Sequence, residues 1–126
     1  MKTTATDKPQ DVRERTFEFA VGVVKFCRGN EAKTFSSRTL FRQLLRAATS
    51  IGANVEEAQA AASKADFINK NAIALKEARE THYWLRLLAA TNSASHVELL
   101  PLTDEAQQLK RILGAIIVSA KKNQAQ

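Results

Sequence analysis

The stretch RAATSIGANVEEAQAA, residues Arg46–Ala61, decides the architecture of this chain. Its Ala, Val and Glu residues favour helix, whereas Thr49, Ser50, Gly52 and Asn54 usually end or avoid one. Read outward from Ser37, the apolar positions Leu40/Phe41, Leu44/Leu45, Ala48, Ile51, Val55 and Ala58 keep one helical period through the doubtful region. A turn at Thr49–Asn54 would throw that register out, while an isolated Gly costs a helix only about 1 kcal/mol relative to Ala. The stretch is therefore mid-helix, and the helix around it is expected over 37–61, capped by Ser37.

The flanks repeat the pattern. Val12, Thr16, Phe19, Val23 and Phe26 recur at three- and four-residue steps, which predicts a helix over 11–28 ending at Arg28-Gly29-Asn30. Ser63 heads a third helix, 64–91, with Asp66 in the place of a capping-box acid. Phe67, Asn71, Ala74, Ala78, Thr81, Leu85 and Leu88 form its seam. The run TNSASHVELLPL, interrupted by Pro101, reads as a loop, and Thr103 as the cap of a fourth helix over 103–122. Residues 1–9 read as a flexible leader and 123–126 as a flexible tail. The fold class is all-α: a single domain, 10–122, forming an antiparallel up-down-up-down four-helix bundle. Ala47, Ala48, Gly52 and Ala53 are expected to let the second helix approach the Ala-rich third closely, with Ser50 and Asn54 hydrogen-bonding across that contact.

Composition limits the functional classes. One cysteine, Cys27, excludes an internal disulfide and is read as a small buried hydrophobe. No Gly-rich phosphate loop, H-E-x-x-H or nucleophile elbow occurs, and no E-x-x-H of the di-iron bundles. No enzyme, cofactor or metal site is predicted. His82 and His96 read as structural and surface residues. No segment approaches the roughly 20 apolar residues of a membrane span, so a cytoplasmic location is the expectation.

The net charge of +6 invites a nucleic-acid reading, yet it is spread almost evenly along the chain. One local bias stands out: between Glu31 and Glu56 the only charges are Lys33, Arg38, Arg42 and Arg46. Arg38, Arg42 and Arg46 recur at i, i+4 and i+8 and so line one ridge. Arg79, Tyr83 and Arg86 form a similar ridge on the third helix. Cations interleaved with an aromatic ring can hold phosphates and stack a base. The plainer account is a solvated face, with Tyr83 and Trp84 as interface anchors. Glu77 and Glu80 lie one turn apart near the third helix's seam, where they can meet Arg42 or Arg46, or remain solvated with partners such as Lys76.

The segment Leu40–Leu88 resembles the bacterial family of 23S rRNA-intervening-sequence proteins. The carrying residues are Arg46, Ala47, Ser50, Ile51, Asn54 and Glu57 in an Arg-Ala-x-x-Ser-Ile-x-x-Asn-x-x-Glu run. Ser63 and Phe67 follow, then Glu80, Trp84 and Leu85. The chain departs from the common pattern at Ala58, where Gly often stands, and at Gly52-Ala53, where many members have Pro-Ser. The resemblance implies a homopentamer around a central channel. It also implies a relationship to the accessory variability determinant of diversity-generating retroelements, a basic pentamer that binds reverse transcriptase and nucleic acid. Together, residues and resemblance predict a non-enzymatic scaffold binding structured RNA or DNA through Arg38, Arg42, Arg46, Arg79 and Arg86. Ser50, Asn54, Glu80, Tyr83 and Trp84 are expected at packing or interface positions. The alternative is a protein-interaction module or accessory subunit, for example of a reverse transcriptase, that does not itself touch nucleic acid.

Overall fold

The computed structural model describes residues 11–125, which form four helices: α1 (Val12–Gly29), α2 (Phe35–Gln59), α3 (Lys64–Ala90) and α4 (His96–Ala125). The expected leader, 1–9, and Gln126 of the expected tail lie outside the described residues. Residues 123–125 continue α4 rather than forming a tail.

The first three helices start where a side chain satisfies a free N–H group of the first turn. Asp11 accepts from the Arg13 N–H at 3.0 Å, and Ser63 from the Asp66 N–H at 3.1 Å. At α2 the cap is Thr34, not Ser37. Thr34 Oγ1 accepts from the Ser37 N–H, and Ser37 Oγ accepts from the Thr34 N–H, both at 3.0 Å. Ser37 thus closes a capping box from inside the helix, and Phe35, two residues earlier, becomes helical and 79% exposed.

The largest departure from expectation is at α4, which begins at His96, seven residues before the expected start. The α3 helix ends in one tight turn. The Ser93 N–H bonds to the Leu88 carbonyl and the Asn92 N–H to that of Ala89. Asn92 sits in the left-handed region at φ 52°, the pairing of a Schellman motif with Asn in its C′ place. His96 Nε2 lies 3.0 Å from Asn92 Oδ1, tying the new helix to that turn. Pro101 does not stop α4. It deprives only the Val97 carbonyl of a partner, and Val97 is in solvent, while Leu99 is buried and anchors the turn. Thr103 caps nothing; its hydroxyl donates to the Leu99 carbonyl.

The core runs between the four helices: Val23 from α1, Leu44, Ile51 and Val55 from α2, Ala74, Ala78, Leu85 and Leu88 from α3, Leu109 and Leu113 from α4. The expected seam of α3 is buried from Asn71 to Leu88. Its polar members pay little for burial because each bonds back one turn: Thr81 Oγ1 to the Glu77 carbonyl at 2.7 Å, Asn71 Nδ2 to that of Phe67 at 3.0 Å. Helices adjacent in sequence pack together, and α1 also meets α4, more sparingly. That last contact is partly polar. Arg15 grips Glu105 through two hydrogen bonds, at 2.6 and 2.9 Å, and Asn30 Nδ2 donates to Glu98.

Gly52 has a definite role, though not the expected one. A Cβ placed there would lie 3.4 Å from the Thr16 carbonyl oxygen of α1. Its missing side chain therefore brings α2 close to α1 rather than to α3. Ala47 and Ala48 are buried, whereas Ala53 is exposed. Ser50 and Asn54 do not bond across a helix contact either. Asn54 Nδ2 donates to the Ser50 carbonyl at 2.9 Å and hydroxyl at 3.1 Å, so both partners are in α2.

Candidate nucleic-acid interface

The three arginines of the α2 ridge have different surroundings. Each four-residue step turns a side chain about 40° around a helix. Arg46 is therefore rotated well past Arg38, and the drift carries it to α3. There its guanidinium donates to Glu77 Oε1 at 3.2 Å and also to Glu80 Oε1. The hydrogen bond to Glu80 is the main cause that raises the Arg46 pKa. Glu77 is nearly buried, and a carboxylate there needs this cation beside it. Arg46 is thus committed within the bundle. Arg38 and Arg42 stay in solvent; Arg38 makes one long contact, 3.4 Å, to the Lys33 carbonyl.

On α3, Arg79, Tyr83 and Arg86 share the exposed face. Tyr83 is 52% exposed, and its ring meets Trp84 edge to face at 5.1 Å between centroids. Trp84 is half-buried against the core, and its Nε1 has no hydrogen-bond partner among the described residues. Glu80, placed among the packing residues, is the second acceptor for Arg46. Among the described residues, Arg38, Arg42, Arg79 and Arg86 make no ion pair. Four exposed guanidinium groups are therefore available to an external anion, in two sets on α2 and α3, and the expected set of five is not one cluster.

One feature escaped the sequence reading: an open groove of about 600 Å³ between the end of α3 and the start of α4, lined by Tyr83, Arg86 and Leu87 on one side and His96, Leu99 and Leu100 on the other. Placing a loop over residues 91–102 hid it. His82, read as structural, is half-buried on α3; burial, then Lys110 and Arg86, hold its pKa below the ordinary 6.5. Cys27 is half-buried, and burial pushes its thiol up, away from the reactive thiolate. Among the described residues, no three His, Cys, Asp or Glu side chains are grouped to hold a metal ion. No described helix is long and apolar enough to cross a membrane.

Comparison with known proteins places this bundle. No curated protein matches the chain. A crystal structure from Bacteroides thetaiotaomicron VPI-5482, described as a protein with unknown function from the S23 ribosomal protein family, is 40% identical. It superimposes with a TM-score of 0.75 over 85% of this chain and 98% of that one. The family model for the 23S rRNA-intervening sequence protein matches residues 8–115, most of the chain and all of α1, α2 and α3. On that match, and with a relative of the same four-helix form, the chain belongs to the 23S rRNA-intervening sequence protein family.

Proposed function

We propose that this protein is a non-enzymatic, homo-oligomeric scaffold that binds structured RNA or DNA through phosphate contacts, largely without sequence specificity. The observation that carries this reading is the set of exposed arginines without a carboxylate: Arg38 and Arg42 on α2, Arg79 and Arg86 on α3. Arg46, occupied by Glu77 and Glu80, contributes less than its place on the ridge promised.

The helices are taken to alternate up and down. In support, Asn30 after α1 bonds to Glu98 in the first turn of α4, while Arg15 near the start of α1 bonds to Glu105 farther along α4. Self-association, in the pentameric form that the family resemblance implies, is favoured by large apolar side chains left in solvent. Phe35 and Val97 lie near the end where the short loops meet, and Phe17 and Val118 are likewise exposed. Five chains of +6 would carry roughly +30, a field that attracts polyanions far more strongly than one chain does. A cytoplasmic location fits this reading.

Binding of a labelled RNA hairpin and a DNA duplex, followed by anisotropy from about 50 to 200 mM salt, tests it. Affinity is expected to fall steeply with salt, and Arg38→Glu with Arg42→Glu to weaken it strongly. No binding of either polymer at low salt would overturn the proposal. Light scattering checks the stoichiometry. The exposed Tyr83 ring against Trp84 favours a second reading, a docking surface for a protein partner. Under that reading the same charge reversals leave partner binding intact.

A further inference from the structure

A second stripe runs beside the buried one on both α1 and α2. On α1, Glu14, Phe17, Val21, Val24 and Arg28 recur at steps of three and four, so they share one face. On α2, Arg38, Arg42, Leu45, Thr49 and Glu56 each follow a buried position by one residue and share another. The two stripes border one seam. Glu14, Phe17 and Glu56 line a common surface hollow. Phe26 of α1 stacks on Phe41 of α2 at 5.6 Å between centroids, which brings Arg28 and Arg42, two residues and one residue farther on, to the other end of that seam.

Charge is sorted along this face. One end carries Glu14 and Glu56 around Phe17, which is 65% exposed; Asp11 and Arg13, at the same hollow, pair with each other. The other end carries Arg28, Arg38 and Arg42. Among the described residues, these two acids and three arginines are exposed and make no ion pair. Between the ends lie half-buried Val21 and Val24 and exposed Leu45. From Glu14 to Arg28 the α1 stripe is about 21 Å long. An apolar centre with charge at its rim is the make-up of a protein interface. A polyanion complements only the basic end of this face, whereas a second copy turned end for end complements both.

We propose that the α1–α2 face pairs with the same face of a second copy about a two-fold axis near Val21, Val24 and Leu45. Glu14 and Glu56 of each copy then meet Arg28, Arg38 and Arg42 of the other, the apolar centres meet at the axis, and each Phe17 is covered. The pairing rests on the self-association in the reading above and not on its nucleic-acid part. It is a different contact from that of a five-membered ring, which joins copies head to tail, whereas this one closes on two. A strand of nucleic acid and a second copy compete for Arg38 and Arg42.

The test is the mass of the full chain by light scattering at about 50 mM salt, where surface charges are weakly screened. Wild type is expected to show twice the mass of either double variant, Glu14→Arg with Glu56→Arg or Arg38→Glu with Arg42→Glu. The first makes the face basic at both ends and the second acidic at both, so neither pairs with itself. An equimolar mixture should regain the wild-type mass with the two variants present one to one, which also shows that both are folded. Leu45→Lys, with both charged ends intact, should halve the mass as well. If wild type exceeds one chain and none of these variants halves it, the face is overturned and self-association stands through another surface. If wild type is a single chain, the pairing and the self-association fall together. If the reversals halve the mass and the mixture does not regain it, the charges act within one copy and the pairing is overturned. Loss of RNA binding by Arg38→Glu with Arg42→Glu at unchanged mass assigns those arginines to nucleic acid alone and overturns it too.

Discussion

The two flanks of α3 treat charge in opposite ways. Toward α2, the near-buried Glu77 and its neighbour Glu80 meet Arg46, and small residues close the wall. Toward α4, Arg86 stays exposed with no ion pair among the described residues, and the wall opens into a groove. Both flanks hold arginine, and the net charge counts their residues alike. What separates them is the partner: a cation with a carboxylate beside it holds the bundle, whereas a cation without one is free to hold something else. The closed side is expected to lose stability when altered, the open side to lose binding.

The largest effect is expected where the wall is tightest. At Gly52 a leucine would drive its side chain into the α1 backbone at Thr16, which should destabilise the fold by about 1–3 kcal/mol in chemical denaturation. Alanine differs, since its Cβ would sit at ordinary contact distance from the Thr16 carbonyl. Gly52→Ala should be neutral or stabilise by up to about 1 kcal/mol through helix propensity. If neither substitution cost stability, α1 and α2 would not approach here as closely as described.

Next come the two arginines of one ridge. Arg46→Ala leaves Glu77 nearly buried beside no cation and is expected to destabilise by about 1–2 kcal/mol, less than a fully buried pair because Arg46 itself is half exposed. Arg42→Ala should change stability by less than about 0.5 kcal/mol and reduce the salt slope of RNA binding by about 1. The variants are four residues apart on one helix, so propensity and local charge are matched. If Arg46→Ala weakened RNA as much as Arg42→Ala, the division into committed and free cations would not hold.

Periodicity carried the fold because burial repeats with the helix: the α3 seam from Asn71 to Leu88 could be read directly from spacing. It also resolved Arg46–Ala61 as continuous helix. Periodicity is less informative about partners on the rim. It aligned Arg38, Arg42 and Arg46, but the slow rotation of that row, which sends only Arg46 to Glu77 and Glu80, depends on which neighbour lies on which side. Arg15 and Glu105 are 90 residues apart and share no local signal. The groove was hidden by a local misreading. Pro101 and the polar residues before it look like a loop, whereas Leu99 in the core and the turn at Asn92 make the first turn of α4 stable enough to tolerate proline.

The smallest expected effect concerns His82, and it probes the open flank without a ligand. Burial, Lys110 and Arg86 hold its pKa in the folded chain below the unfolded value of 6.5. On lowering the pH, the unfolded chain therefore takes up this proton first. The His82 contribution to stability is fully present above pH 6.5, is lost as the pH falls below it, and levels off beneath the folded value. His82→Gln removes that proton while keeping a polar side chain of similar length. Thermal unfolding at about pH 7.5 and about pH 5.5 should show wild type losing more on acidification than His82→Gln. An identical acid loss in both proteins would mean that neither burial nor the neighbouring cations lower the His82 pKa in the folded chain.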